Sequence, residues 1–207
     1  MNNTSSIQMH RGDLPDSVKF AQSVAIDTET TGLNLARDRL CLVQLAGADG
    51  TAHLVQIAKG QTTAPNLTRL LTDTSVMKLF HFGRFDIAAL KAQLGVLTTN
   101  VYCTKTASRL CRTFTDRHGL KDLCKDLLGV AISKQEQTSD WGAADLTGEQ
   151  LAYAAQDVLH LHALKARLDV MLARENRTAL AQQCFDFLPT RAELDLAGWP
   201  DFDIFAH

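Results

Sequence analysis

The sequence lacks several things, and each absence narrows the reading. No apolar run approaches the ~20 residues a membrane-spanning helix needs, so no membrane span is expected. There are only 4 prolines in the 207 residues, and no Pro/Gly/Ser-rich tract or internal repeat divides the chain. One domain over residues 1–207 is therefore the default. The 5 cysteines are odd in number and form no C-x-x-C pair, which argues for reduced thiols over disulfides or zinc. An excess of positive charge is also missing. The formal net charge is −2, whereas a protein that grips long nucleic acid by its phosphates is usually clearly basic. The opening "MNNTSSIQMHRGDLPDS" has no apolar core of a secretory signal, so the expected compartment is the cytoplasm. What remains is ordinary for a soluble globular chain, with 45% hydrophobic and 21% charged residues.

The pattern along the chain places strands first and helices later. "SVAIDT" (23–28) reads as a buried strand, and "RLCLVQLAG" (39–47) and "TAHLVQI" (51–57) as a hairpin across the turn-like "ADG". "APNLTRLLTD" (64–73) has helical spacing with Pro65 near its start, and "VMKLFHF" (76–82) reads as a short strand. "RFDIAALKAQLG" (84–95) follows as a helix with Gly95 as its C-cap, then "VYCT" (101–104) as a last strand. From Lys105 onward the spacing is helical. "HGLKDLCKDLLG" (118–129) carries Leu120, Leu123, Cys124, Leu127 and Leu128 on one face. "LTGEQLAYAAQDVLHLHALKARLDVML" (146–172) reads as one long helix whose Thr147 and Gln150 fit a capping box. The expectation is an α/β domain with a mixed sheet flanked by helices. Residues 188–207 hold many apolar side chains with no clean period, and read as a C-terminal tail packed on its own domain or on a neighbouring subunit.

Acids sit where a plain core would not put them. Asp27 and Glu29, two apart at the end of a strand, point to the same face. Asp86 follows another strand, in the first turn of a helix, and Asp157 lies on the late helix one turn after Tyr153. Each has an ordinary explanation when taken singly; Asp86, for example, suits a helix N-terminus. Together they describe a cluster of carboxylates, which repel one another unless divalent cations neutralise them. Hard oxygen ligands select Mg2+ or Mn2+ over zinc.

In order and separation, "DTETTGL" (27–33), "HFGRFD" (81–86) and "YAAQD" (153–157) resemble the three motifs of the DEDD superfamily of 3′–5′ exonucleases. The tyrosine at 153 marks the DEDDy branch that includes ribonuclease D. The histidine branch would need a histidine where Ala152 stands, and His160 and His162 read as helix residues without a catalytic role. "SKQEQTSDW" (133–141) resembles the stretch before the third motif in ribonuclease D relatives. Along nearly the whole chain, "HRGDLPD", "IAKGQTTAPNLTRLL", "TDRHGLK", "FLPTRAELDLAGW" and "DIFAH" are similar to the bacterial nano-RNase C family.

That resemblance implies a ribonuclease H-like (DnaQ-like exonuclease) fold and degradation of very short RNA, diribonucleotides above all, from the 3′ end to 5′-mononucleotides. It also implies an octameric ring. The catalytic set carried over is Asp27, Glu29, Asp86, Tyr153 and Asp157. Asp27, Glu29 and Asp157 would hold one cation, Asp27 would bridge to a second supported by Asp86, and Tyr153 would orient the attacking water. For substrate contact the candidates are Thr30, Gly32 and Leu33 in the turn, with Leu33 either a wedge between bases or a turn anchor. His81 and Phe82 would meet base or sugar unless Phe82 packs in the core. Lys105, Arg109 and Arg112, with Arg117 and Lys121, either cap a 5′ phosphate or form a solvated basic face. Ribonuclease D-like trimming of tRNA or other structured RNA 3′ ends, action on DNA ends, and a metal-free binding scaffold are the competing readings. The helical RNA-binding repeats of ribonuclease D have no counterpart after the exonuclease motifs here, which favours short RNA.

Overall fold

The computed structural model describes residues 6–133, 136 and 138–207. Lys134, Gln135 and Gln137 of the "SKQEQTSDW" stretch lie outside the described residues, as do residues 1–5. Six strands form one sheet: β1 (Ile7–Arg11), β2 (Ser23–Thr30), β3 (Leu40–Ala46), β4 (Ala52–Gln56), β5 (Met77–Phe80) and β6 (Val101–Cys103). Their spatial order is β1-β4-β3-β2-β5-β6. β2, β3 and β4 form an antiparallel meander, while β5 and β6 extend it in parallel beside β2, and β1 pairs in parallel with β4. The sheet is mixed, as expected. β1 carries no sequence signal because it is a mostly exposed edge strand, with no buried face to impose alternation.

Helices cover both faces. α1 (Pro65–Thr72) and α2 (Arg84–Leu94) close one face, where Val24, Ile26, Val43, Leu45 and Val55 meet Leu67, Leu71, Ile87 and Leu90. α3 (Thr104–Cys111), α5 (Gly148–Leu159) and α6 (Leu161–Arg174) lie on the other. There Ala25, Ala46, Ala52 and Leu79 leave room for helices to approach closely. α4 (Leu120–Leu123) runs into a π-helical turn at Cys124–Leu128, and α7 (Thr178–Leu196) is the last helix among the described residues. β3 is buried over its whole length, as a central strand covered on both sides must be. The Gly95 cap takes φ +68°, and the Thr147–Gln150 capping box is formed.

One expectation fails, and the form of another segment differs from its reading. The helix expected over 146–172 breaks at His160, whose N–H turns back to the Val158 carbonyl. Val158 and Leu161 are both fully buried, but α5 packs on β2–β4 while α6 packs on α3 and β5, so the axis must turn between them. The supposed tail at 188–207 is helical as far as Leu196, with Pro189 inside α7. Its period is blurred because α7 is buried on two sides. Ala181 and Phe185 join one core, Ala192 joins the other, and Leu188 touches both. No helix among the described residues is long and apolar enough to cross a membrane.

Candidate active site

β2 ends where the sheet opens between α2 and α5. Because side chains alternate along a strand, Asp27 and Glu29 face α5, and Thr28 between them faces α2. α5 answers with Asp157, and carboxylate oxygens of Asp27, Glu29 and Asp157 lie within 4.8 Å of one another. Asp86 approaches from the α2 side. It is buried and accepts a 2.6 Å hydrogen bond from Thr28 Oγ1. It stands beside the group of three, not within it. Tyr153 lies one turn before Asp157, largely buried, with the Trp141 ring 6.0 Å from its own.

Burial and mutual repulsion set the electrostatics. Burial pushes Glu29 up to about 9, with Asp157 and Asp86 adding to the effect. Asp27 is raised well above the usual carboxylate range, by burial first and then by Asp86, Asp157 and Glu29. Burial raises Asp86 to about 7 against the opposing hydrogen bond from Thr28. Only oxygen donors are offered and the repelling charges are all acids, so the set fits a hard divalent cation.

These shifts carry a sign for stability. A carboxyl whose folded value is raised holds its proton in the fold after the unfolded chain has lost it. The unfolded state then binds fewer protons, and stability falls as pH rises. In chelator, the melting temperature is expected to decline from about pH 5 to about pH 9, the window set by Asp86 at about 7 and Glu29 at about 9. Saturating Mg2+ should offset the decline. A gap between the melts in Mg2+ and in chelator that does not widen across that range would show that the acids do not crowd one another.

The acids form the floor of a cleft of about 610 Å3. Thr30, Gly32, Leu33, His81, Phe82 and Lys105, the candidates for substrate contact, line it. Leu33 is 84% exposed, so it anchors no turn. A Cβ on Gly32 would meet the Asp38 carboxylate, which would have to move to admit it. Phe82 is 44% exposed and does not pack in the core. Its backbone takes φ +66°, and Lys105 Nζ sits 4.1 Å from its ring centroid. His81 Nδ1 meets Thr104 Oγ1 at 2.9 Å.

Two expected contacts lie elsewhere. Arg112 is 3% exposed, pairs with Asp126 at 2.7 Å and donates to the Arg117 carbonyl, so it ties the α3–α4 loop together. Arg109 is exposed one turn further along α3 than Lys105 and does not line the cleft. Arg117 is engaged with Asp122 and Asp126, while Lys121 does reach the cleft. His162 meets Ser23 and, like His160, lies outside the cleft.

Sequence reasoning also missed residues. Gln44 is fully buried on β3 directly opposite Asp27, and its Nε2 donates to Asp27 Oδ2 at 3.4 Å. A glutamine in an all-apolar strand, "LCLVQLA", was the available signal. Phe85, Leu120, Ile132, Ser133 and Trp141 also line the cleft.

The chain matches the model of a 3′–5′ exonuclease family over residues 11–173, a span that holds all of these acids and Tyr153. It is 38% identical over 154 residues to ribonuclease D of Gluconacetobacter diazotrophicus, covering 74% of this chain and 39% of that protein. The chain spans about two fifths of the length of the curated relatives it matches first. Among solved structures it is similar to Brucella melitensis NrnC bound to pGG, at 57% identity and TM-score 0.95, covering 99% of this chain and all of that one (100%). Brucella melitensis NrnC with bound Mg2+ is similar at 56% identity and TM-score 0.93, over 98% of this chain and 99% of that one.

Proposed function

This chain belongs to the 3′–5′ exonuclease family and, within its ribonuclease D-like members, to the NrnC (nano-RNase C) family, and from that premise we propose that it hydrolyses very short RNA from the 3′ end, 5′-phosphorylated dinucleotides above all, to 5′-mononucleotides. The observation that carries the reading is the convergence of Asp27, Glu29 and Asp157 within 4.8 Å, with Tyr153 one turn from Asp157, on the floor of an open cleft. The NrnC relative bound to pGG supports the substrate class, and the one with bound Mg2+ supports the cofactor.

Asp27, Glu29 and Asp157 would hold one Mg2+ or Mn2+ ion, and Asp27 with Asp86 a second. When bound, such ions supply Lewis acidity at the scissile phosphate and neutralise the charge that develops in an in-line displacement. The chain's own groups do the rest. Tyr153 orients the attacking water from beside Asp157. Leu33, bare at the mouth, separates the two bases, and the exposed Phe82 ring offers a stacking face. Lys105 and Lys121, on the same cleft, suit a 5′ phosphate as point charges. The free thiols of all five cysteines support a cytoplasmic setting. Exposed Trp199, Phe202, Ile204 and Phe205 support association of copies, which the resemblance would make an octameric ring.

The test is a time course on 5′-labelled RNAs of two to seven nucleotides, beside a structured RNA and a DNA duplex, with and without chelator. Rapid clearance of dinucleotides, stopped by chelator, is expected. Dinucleotides that accumulate from longer RNA, or faster trimming of the structured RNA, would favour a ribonuclease D-like role.

Gln44 gives a second prediction. Its amide fixes the Asp27 carboxylate, and groups that orient metal-ligating side chains are typically worth about ten- to a hundredfold in metal affinity. Gln44→Leu should weaken Mg2+ binding by about that factor. The fold should tolerate the change, because Gln44 Oε1 is buried without a hydrogen-bond partner among the described residues. Calorimetric titration showing unchanged Mg2+ affinity would remove Gln44 from the site.

A further inference from the structure

The turn between β5 and α2 delivers two groups to the cleft: the Phe82 ring and, four residues on, the Asp86 carboxylate. It is a strained turn. Phe82 sits at φ +66°, a left-handed conformation that bulky side chains rarely adopt, and a Cβ on the next residue, Gly83, would lie 2.6 Å from Phe80 Cβ. Such strain persists only where the surroundings over-determine it. One restraint comes from the β6–α3 junction, where Thr104 Oγ1 donates to the Phe80 carbonyl at 3.1 Å and meets His81.

The other restraint comes from the far end of the chain. Arg84, two residues from both Phe82 and Asp86, places Nε and Nη2 at 2.5 and 2.7 Å from the two carboxylate oxygens of Asp195 on α7. Arg84 also donates to the Pro200 carbonyl. Arg191 approaches the same Asp195 at 3.2 Å and donates to the carbonyls of Trp199 and Pro200. The Asp195 side chain is only 11% exposed. A pair this buried is weak evidence for stability, since desolvation cancels much of its attraction. Its fork geometry does fix direction.

We propose that the Arg84–Asp195 pair is a clamp by which the end of α7 and the segment through Pro200 position the Phe82–Asp86 turn for catalysis. Arg84 and Asp195 are thus positioning residues for a cleft they do not enter with their charges. The proposal rests on the cleft being the nuclease site.

The experiment compares wild type, Arg84→Met, Arg84→Lys and the paired Arg84→Met/Asp195→Leu protein, each with Mg2+, for melting temperature and for kcat and KM on pGG. Arg84→Met should lose turnover and some stability, because Asp195 keeps only Arg191 as its ion-pair partner. The paired apolar variant leaves Arg191 on the Trp199 and Pro200 carbonyls and should regain most of the lost stability. Its kcat should stay about ten- to a hundredfold low, the cost of a small misplacement at the reacting centre, with a smaller change in KM. A paired variant that recovers kcat to within about twofold along with its stability would overturn the clamp. If the paired variant does not fold, Arg84→Lys decides. It keeps the charge and loses the fork, so reduced kcat at an unchanged melting temperature supports the clamp and wild-type kcat overturns it. If the wild type fails to cleave pGG, the functional reading falls separately. The clamp is then read from calorimetric Mg2+ affinity, weaker in Arg84→Lys if Asp86 is displaced and equal to wild type if it is not.

Discussion

Asp27→Asn is expected to reduce hydrolysis of dinucleotides by on the order of a thousandfold or more, and at the same time to raise the melting temperature of the metal-free protein. The two effects have one origin. Asp27 is buried and faces Asp86, Asp157 and Glu29, so its carboxyl is pushed far above its ordinary range. Without cations, the folded wild type must hold a proton there that the unfolded chain has lost, and a neutral isostere removes that cost. A relief of about 1 kcal/mol corresponds to about 2–4 °C for a chain of this size. With cations the sign reverses. A ligand that binds only the folded state at a hundred times its dissociation constant adds about 2.7 kcal/mol. The wild type should therefore gain stability from Mg2+, and Asp27→Asn should gain much less. Scanning calorimetry with and without Mg2+, beside a turnover assay, reads all three. A variant that keeps the full Mg2+-dependent shift would show that Asp27 is not a ligand, whatever its activity.

The same crowding explains which parts of the site were legible in the sequence. Acids are conspicuous against an apolar strand, and the spacing of two in Asp27-x-Glu29 states outright that both face one way. The four carboxylates could therefore be read as one cluster, while Tyr153 was singled out by the resemblance to the exonuclease motifs; the fold gathers Asp27, Glu29 and Asp157 at the end of β2 and sets Asp86 beside them. The supporting groups were less legible because their partners are distant in sequence. Gln44 matters only through the antiparallel register that sets it opposite Asp27. Arg112 looked like one more basic residue on a helical stretch. Its burial against Asp126 depends on how the α3–α4 loop folds back.

Helix boundaries failed for a similar reason. A period of 3.6 residues reports which face is buried, not against what. The stretch 146–172 keeps one apolar stripe while its packing partner changes from the sheet to α3, and the break at His160 leaves no mark in the pattern. α7 shows the opposite. It is buried on two sides, so its apolar residues lose their period and the helix reads as irregular. Arg84 and Asp195 are 111 positions apart, and only the packing of α7 on α2 joins them.

Tyr153→Phe separates chemistry from binding. The phenol is raised well above its ordinary value, by burial first and then by Asp157, Glu29 and Asp27. Cations held by the acids would relieve the second contribution and leave the first. Burial thus favours the protonated phenol, and the part expected of it is to orient the attacking water by hydrogen bonding. Losing a group that positions the proton-transfer partner typically costs about a hundredfold to ten-thousandfold in rate. Tyr153→Phe should lower kcat within that range and leave KM for pGG nearly unchanged, because the ring still packs beside Trp141. The pH profile distinguishes the two roles open to the phenol. If Tyr153 only orients water, the residual activity of the variant keeps the wild-type profile at a lower level. If it also serves as the proton acceptor, the wild-type profile should rise on the alkaline side and the variant should lose that rise. An unchanged kcat would remove Tyr153 from the reaction and leave Asp157, one turn away, as the contribution of α5 to the site.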